Sequence, residues 1–176
     1  EIGDVLEYRA RGKEDSRRGG GEDLWVLGTH MLDLMRSFSG DVKSCFARVT
    51  VKGKPITRAD VHSGNEGIGP LAGDGINAMF TMKNNRQTGY FASHRGMGGR
   101  PSRFGIQIFG TKGVLEMTSG YNQTGWLLKD SSWSHGRSGA KWIPVSAEGI
   151  GKPDKGGRPA HGGNIDAVND LIQAIE

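Results

Sequence analysis

Glycine is the residue that most constrains how this chain folds, since 30 of its 176 residues are glycine. This is more than twice the usual share of about 7% in proteins. The glycines follow no fixed period, which excludes a collagen-like helix. They cluster between apolar runs instead, a pattern that predicts a strand-rich fold with long connecting loops. A chain of this length is expected to form one domain.

Apolar and polar residues alternate along several short segments, as expected of half-buried strands. The clearest case runs from Cys45 to Val51. Two pairs of such segments are joined by the turns Lys83–Arg86 and Gly110–Gly113, which predicts two hairpins, and Gly53–Gly75 is predicted to be a long functional loop. The predicted strands are residues 2–9, 45–51, 76–82, 87–93, 104–108, 114–117, 126–128 and 141–145.

Two segments instead repeat apolar residues every three or four positions, which predicts amphipathic helices. The first begins at Leu24, continues to Phe38 and is followed by Gly40, a residue type that commonly ends helices. The second follows the capping residue Asn164 and continues to Ile175. We therefore predict an α+β fold, with a largely antiparallel open sheet, helices packed on one face and the other face available for oligomerisation.

Composition and spacing exclude several classes of protein. The single cysteine, Cys45, cannot form a disulfide framework, and no histidine pair has a metal-ligand spacing, so no metal site is expected. No apolar stretch reaches the roughly 20 residues of a membrane-spanning helix. The net charge is only +4, and Glu14 and Asp15 interrupt the basic tract Arg9–Arg18. We expect this tract to be a solvated or anion-facing loop, with no nucleic-acid or membrane partner, in a cytoplasmic protein without a signal peptide.

His30 is the strongest candidate for chemistry. Val26, His30 and Asp33 share one face of the first predicted helix, because they are separated by four and three residues. A carboxylate at that spacing can hold an imidazole in one tautomer, which suits general acid–base catalysis. The alternative is a structural histidine at a domain edge, with Asp33 as an ordinary hydrogen-bond acceptor.

Four further residues are candidates for a substrate pocket. Trp25 lies at the start of the first predicted helix, where it forms either part of the core or the wall of a pocket. His94 and Arg95 follow a predicted strand and precede a glycine-rich loop, a position from which side chains often reach a cleft. The alternative for them is a solvated pair. Arg11 follows the first predicted strand, in a loop that is placed to face a polar substrate.

Two glycine-rich loops invite comparison with phosphate-binding loops. Neither Gly96–Gly99 nor Gly110–Gly113 has the spacing of a P-loop, and neither lies between a parallel strand and a helix. Both are interpreted as turns, so the chain is predicted to contain no nucleotide-binding motif.

Four motifs nevertheless follow one another in a recognisable order. They are a glycine run with Gly-x-His-x-x-Asp, the end of that helix before an alternating strand, an Ile-x-Gly-x-x-Gly hairpin and a closing helix. In this sequence they lie at Gly19–Gly21 with Gly28–Leu34, at Ser39–Val42, at Ile106–Leu115 and at Asn164–Glu176. The chain resembles the C-terminal domain of the Gfo/Idh/MocA oxidoreductases, the family of glucose–fructose oxidoreductase and inositol dehydrogenase, over nearly its whole length.

The resemblance implies an NAD(P)-dependent oxidoreductase acting on a sugar, a polyol or a related hydroxy compound. In that family an N-terminal Rossmann domain binds NAD or NADP and supplies a lysine. The second domain supplies a histidine and uses its open sheet face to form oligomers. His30 matches that histidine and is the expected catalytic acid or base, while Arg11, Trp25, His94 and Arg95 are the expected substrate-binding residues.

The chain departs from the family pattern next to this histidine. The family often has an aspartate four residues before it, where this chain has Val26. Asp23 lies two helical turns (~10 Å) from His30, too far to replace that aspartate. The lysine and the dinucleotide-binding loop of the Rossmann domain are also missing from this sequence. Residues 1–176 are therefore expected to be a C-terminal substrate-binding and oligomerisation domain that binds no cofactor and turns over no substrate alone. The alternative is a non-catalytic binding or assembly module that keeps the fold.

Overall fold

A computed structural model describes residues 1–84, 86–99, 102–119, 124–153 and 172–173. The strands in these ranges are β1 (Val5–Arg11), β2 (Val42–Val51), β3 (Lys54–Pro55), β4 (His62–Ser63), β5 (Pro70–Leu71), β6 (Gly75–Met82), β7 (Thr88–His94), β8 (Gly105–Gly110), β9 (Gly113–Thr118), β10 (Gly125–Leu128), β11 (Ile143–Ser146) and β12 (Gly149–Ile150). The helices are α1 (Gly21–Val26), α2 (Gly28–Ser39) and α3 (His135–Ser138), and single 3₁₀ turns lie at Arg58–Asp60 and Asn65–Gly67.

One large sheet dominates the fold, with the strand order β12-β11-β10-β9-β8-β1-β7-β6-β2-β3. β4 and β5 pair separately, inside the segment that was predicted to be a loop before β6. The predicted hairpins β6–β7 and β8–β9 are confirmed. β1 lies between these two hairpins and pairs parallel to β7, with Ala10 opposite Phe91. The sheet is therefore mixed and largely antiparallel, in agreement with the predicted α+β class.

The hydrophobic core lies between one face of this sheet and the helices α1 and α2. Its buried members alternate along β1, β6 and β8, as the predicted strand pattern requires. The largest of them are Tyr8, Met31, Met35, Ile76, Phe80, Met82, Phe91, Phe104, Ile106 and Ile108. The pattern is wrong for β2, where Cys45 and Ala47 of the predicted buried face are exposed.

The first helix differs from its predicted form because it is broken at Leu27, between α1 and α2. After the break α2 buries Met31, Met35 and Ser39, which are four residues apart. Phe38 was predicted to belong to the buried stripe, but it is 52% exposed and stacks on Tyr8 with 6.3 Å between ring centroids. The predicted closing helix after Asn164 lies outside the described residues, apart from positions 172 and 173.

The second face of the sheet carries a continuous row of side chains across eight strands. The cross-strand register aligns them in the order Phe46, Met79, Tyr90, Arg9, Gln107, Glu116, Trp126 and Pro144. We call this the open face, and four of its apolar side chains are between 36% and 72% exposed: Phe46, Met79, Tyr90 and Trp126.

One end of the open face is covered by the segment that contains α3. Trp133 and Trp142 pack there on Phe109, Val114 and Leu128, and the Trp133 indole donates a hydrogen bond to the Gly110 carbonyl at 2.8 Å. The first predicted helix, which forms α1 and α2, lies on the core face as predicted. The cluster around α3 is a second layer on the other face, which the prediction of helices on one face did not include. Within the described ranges, no helix has the length and apolar character needed to cross a membrane.

Candidate active site

The helix pair α1–α2 lies along β7 and is held there at successive inward-facing positions of the strand. Ser93 contacts Asp23, and a Cβ atom at Gly28 would lie 2.7 Å from Cζ of Phe91. Farther along, a Cβ atom at Gly89 would lie 2.9 Å from the Met35 sulfur. The helices therefore run antiparallel to β7 at close range, and the break at Leu27 falls beside Phe91.

The break places His30 in the first turn of α2, where its backbone N–H donates to the Leu27 carbonyl at 3.2 Å. The side chain is exposed and lines a cleft of about 460 Å³ between α2 and the adjacent ends of β8 and β9. The cleft combines aliphatic and thioether groups with hydroxyl, carboxylate and imidazole groups. Its lining residues are His30, Met31, Asp33, Leu34, Gly105, Ile106, Met117, Thr118 and Ser119.

The imidazole of His30 makes no recorded hydrogen bond or ion pair with the part of the chain that the structure describes. Asp33 lies in the same cleft and is exposed, but it does not contact the imidazole within hydrogen-bond distance. Val26 is half-buried, and the Asp23 carboxyl is fully buried against Ser93 instead of approaching His30. A substrate hydroxyl in the cleft would therefore meet an imidazole that is not already engaged.

The other predicted pocket residues do not line the His30 cleft. Trp25 is 67% exposed on α1. Arg11 and His94 belong to the open face by alternation along β1 and β7, and both contact Glu14: the Arg11 guanidinium donates to its carboxylate at 2.6 Å, and the His94 backbone N–H does so at 3.0 Å.

Arg95 has a structural environment of its own. One of its terminal nitrogens donates to the carbonyls of Ser16 and Arg17 at 3.1 and 2.7 Å, and the other donates to Glu22 at 3.1 Å. The Arg95 guanidinium is therefore bound on one side by the loop that follows β1 and on the other by Glu22 of α1. It fixes that loop and is not among the residues that line the His30 cleft.

Three buried carboxylates hold the loop between β1 and α1, and the sequence patterns did not reveal them. Glu14, Glu22 and Asp23 are each 1% exposed or less. Glu14 accepts hydrogen bonds from Arg11 and from Arg103, the latter at 3.1 Å. The basic tract is thus a paired structural element rather than a solvated loop. The acidic residue three positions after Arg11 was the available signal, since that spacing suits an ion pair in a turn.

The three carboxylates differ in how their charge is compensated. Burial alone would raise the pKa of Glu22, but hydrogen bonds from the Arg95 guanidinium and the Asn65 amide outweigh it, so its pKa is lowered. Burial raises the pKa of Asp23, although hydrogen bonds from the Ser93 hydroxyl and the Glu14 amide oppose the rise, and the nearby charges of Asp15 and Glu14 add to it.

The glycine run at the start of α1 does not fit the pyrophosphate of a dinucleotide. The glycine run before α1 is packed against the segment before β6: the Gly21 N–H donates to the Gly73 carbonyl at 3.2 Å, and Gly20 has a φ of 71° with no room for a Cβ beside Asp74. The first turn of α1 also carries Glu22 and Asp23, which would repel a pyrophosphate. The glycine run therefore packs the start of α1 against the segment before β6.

A larger concavity of about 1320 Å³ lies on the open face. Arg9, Arg11, Tyr90, Glu116 and Trp126 are among its lining residues, and His30 is not. Two polar pairs cross it, Arg9 with Glu7 and Gln107 with Glu116. Among the described residues, no three His, Cys, Asp or Glu side chains converge as metal ligands would.

The fold is shared with several solved oxidoreductases. Levoglucosan dehydrogenase in its apo form is 18% identical with a TM-score of 0.66, and the match covers 99% of this chain and 51% of that one. UDP-N-acetylglucosamine 3-dehydrogenase from Acidithiobacillus ferrooxidans is 15% identical with a TM-score of 0.58, over 99% of this chain and 47% of that one. An oxidoreductase domain protein from Kribbella flavida is 20% identical with a TM-score of 0.59, over 99% and 50%.

These identities are low enough that the likeness shows a common fold alone. This chain spans about half the length of the solved proteins it matches. No curated protein sequence matches it. The family model described as GFO/IDH/MocA C-terminal domain matches residues 1–116, which include β1, α1, α2 and the strands through most of β9. The chain therefore belongs to the GFO/IDH/MocA C-terminal domain family.

Proposed function

We propose that this chain is the substrate-binding half of an NAD(P)-dependent oxidoreductase acting on a sugar, a polyol or a related hydroxy compound. Membership of the family supports this function, and so does the fold, since one solved levoglucosan dehydrogenase of the same fold contains NADH and levoglucosan. The observation that carries the proposal is the exposed, unengaged His30 imidazole at the cleft between α2 and the β8–β9 ends.

His30 is the acid or base of the proposed reaction. In the oxidation direction, its neutral imidazole accepts the proton of a substrate hydroxyl, and in the reduction direction the imidazolium returns that proton to the carbonyl oxygen. NAD or NADP, bound by an N-terminal Rossmann domain, would exchange the hydride with the carbon that carries the hydroxyl.

The lining of the cleft suits a polyhydroxy substrate. Ile106, Met117 and Leu34 offer apolar surface for the C–H groups of a ring or chain, while Asp33 and Ser119 offer acceptors for its hydroxyl hydrogens. Arg11, Trp25, His94 and Arg95, the other residues predicted from the sequence, lie outside this lining. They remain proposals for substrate contacts outside the His30 cleft.

We also propose that the protein is a homo-oligomer that uses its open face. Phe46 is 72% exposed, and Met79 and Tyr90 follow it in the same cross-strand row. Exposed apolar rows of this kind on a sheet are typical of surfaces that a partner covers. A second copy is the expected partner, because the row has apolar side chains towards both ends and the oppositely charged Arg9 and Glu116 between them, an arrangement that suits a self-complementary contact.

The second candidate is a non-catalytic binding or assembly module. It is favoured by one specific observation: no carboxylate contacts the His30 imidazole within the described ranges, and Val26 occupies the position where the family often has an aspartate. In this alternative the cleft binds a polyhydroxy ligand without converting it.

A turnover screen of the intact protein separates the two candidates. Neutral sugars and polyols are offered with NAD⁺ or NADP⁺, and reduced nicotinamide is followed by its absorbance, while ligand binding is measured by calorimetry on the same panel. The proposal predicts reduction of the cofactor with at least one ligand that binds. Binding of ligands without any turnover, and without binding of either cofactor, would establish the non-catalytic module instead.

A further inference from the structure

A buried carboxylate–hydroxyl pair fixes α1, the helix directly before the one that carries His30, to the sheet. The Ser93 hydroxyl donates to Oδ2 of Asp23 at 2.6 Å, and both side chains are 0% exposed. The same Oδ2 accepts the Glu14 backbone N–H at 3.2 Å, and the Ser93 oxygen accepts the Gly20 backbone N–H at 3.0 Å. The pair therefore joins α1, the strand β7 and both ends of the loop that precedes α1.

A short series of backbone contacts leads from this pair to the imidazole. The Asp23 carbonyl accepts the Leu27 N–H at 3.0 Å, and the Leu27 carbonyl accepts the His30 N–H at 3.2 Å. Between them, Gly28 lies against the Phe91 ring, two residues before Ser93 on the same face of β7. A displacement of Asp23 along β7 would therefore move the first turn of α2, and His30 with it.

Burial of the Asp23 carboxylate lowers the free energy of unfolding, so we explain the Asp23–Ser93 pair by the geometry that it fixes and not by added stability. The buried carboxylates Glu14 and Glu22 are paired with arginines, but Asp23 is stabilised by neutral donors, and its Oδ1 is buried without a hydrogen-bond partner in the described structure. An unpaired buried carboxylate lowers the free energy of unfolding relative to an apolar residue of similar size. Directional hydrogen bonds, in contrast, specify one geometry where apolar packing allows several.

We propose that Asp23 and Ser93 are positioning residues that hold the His30 imidazole at the cleft. The proposal rests on the function proposed for His30, since it concerns the same site. Neither residue lines the cleft. They act through α1 and the helix break, and they fix where the proton acceptor lies relative to a bound hydroxyl.

The first test compares kcat and KM of the intact protein in three variants. Ser93→Ala and Asp23→Ala are each expected to lower kcat by about 100-fold, since a displacement of about 1 Å at a reacting group has an effect of this size. KM should stay unchanged because neither residue touches substrate. Asp23→Asn should restore most of kcat, since the amide oxygen accepts from the same donors.

Ser39→Ala is the matched control. The Ser39 oxygen lies 2.5 Å from the Tyr8 hydroxyl, and this buried contact fixes the far end of the same helix to the sheet. Its loss should lower stability and leave kcat unchanged. The proposal is overturned if Ser93→Ala has the kcat of the wild type, or if Ser39→Ala lowers kcat as much as Ser93→Ala does.

The second test does not depend on turnover. In protein with ¹³C-labelled histidine, the ring resonances of His30 should shift in Ser93→Ala and remain in place in Ser39→Ala. If the wild-type protein has no activity, the proposed function is refuted. The His30 resonances would still show whether Asp23 and Ser93 position the imidazole. If the alanine variants do not fold, Ser93→Cys, with a side chain of similar size and weaker hydrogen bonds, takes their place. Unshifted His30 resonances in that variant would then overturn the proposal.

Discussion

Gly28 and Phe91 are in direct contact, because a Cβ atom on Gly28 would lie 2.7 Å from Cζ of the aromatic ring. The ring is buried and belongs to the core. The break between α1 and α2 can therefore lie flat on β7 only while position 28 has no side chain. This contact sets the distance between the sheet and the helix turn that presents His30.

Replacing Gly28 by alanine is expected to strain this contact. The added methyl group must displace the Phe91 ring or the helix, and overpacking of this kind costs typically about 1–3 kcal/mol of the free energy of unfolding. Urea denaturation measures the change. Gly136→Ala is the control, since a Cβ atom there would meet nothing within 4 Å. Equal stability of the two variants would contradict this expectation, because it would show that the Phe91 ring moves aside without a loss in the free energy of unfolding.

The buried carboxylate of Glu14 is expected to matter more than its exposed counterpart Glu66. Both residues have a φ of 59° and both are paired with two arginines, but their side chains are 1% and 33% exposed. Glu14→Gln should lower the free energy of unfolding by about 1–3 kcal/mol, because it weakens charged hydrogen bonds at a buried site. Glu66→Gln should cost about 0–1 kcal/mol. Urea titrations of both variants provide the comparison, and an equal loss in the two would contradict it.

Asp23 should make the protein less stable as the pH rises. Burial raises its pKa in the folded state, so the folded protein binds this proton more tightly than the unfolded chain does. The resulting stabilisation is fully present below the unfolded pKa of about 3.9 and is lost as the pH rises through the folded value. The neighbouring charges of Glu14 and Asp15 act in the same direction.

The measurement is the difference in unfolding free energy between wild type and Asp23→Asn across this pH range. The variant cannot ionise at position 23, so its stability relative to the wild type should improve with increasing pH. A difference that is constant with pH would mean that Asp23 has the same pKa in both states.

The open face should determine the oligomeric state of the protein in solution. Tyr90→Arg places a charge between Met79 and Arg9 in the middle of the exposed row, and it is expected to dissociate the oligomer by charge repulsion and loss of apolar contact. Ser37→Lys, on the exposed side of α2, should leave the mass unchanged. Light scattering coupled to size exclusion gives both masses. A wild-type monomer, or a Tyr90→Arg oligomer of full size, would contradict the proposed interface.

The sequence predicted those elements whose signals are local. Alternation located β2 and β6, and the short turns correctly predicted both hairpins and with them β7. The apolar repeat located the helix but ran straight through Leu27, since Leu24, Leu27 and Met31 keep a helical spacing across the break. The break depends on the contact of Gly28 with Phe91, which lie 63 positions apart along the chain, and no local pattern encodes it.

The same distinction between local signals and long-range contacts applies to the residues of the candidate site. His30 was recognisable from its helical position and from the family motif. The roles of Glu14, Glu22 and Asp23 were not, because a carboxylate in a basic tract or in a first helical turn is usually solvated. Their burial results from long-range packing of the β1–α1 loop and α1 on the end of β7, where Ser93 donates to Asp23, the His94 backbone N–H donates to Glu14 and Arg95 donates to Glu22. The parallel pairing of β1 with β7 has the same long-range origin.

The turnover of His30→Ala in the intact protein, measured with the substrate identified in the screen, is the most direct test of the proposed role of His30. Loss of a general acid or base predicts that kcat falls by at least about 100-fold. His135→Ala, in α3 and outside the cleft, should keep the kcat of the wild type. Wild-type turnover in His30→Ala would contradict the assignment of His30 as the group that moves the hydroxyl proton.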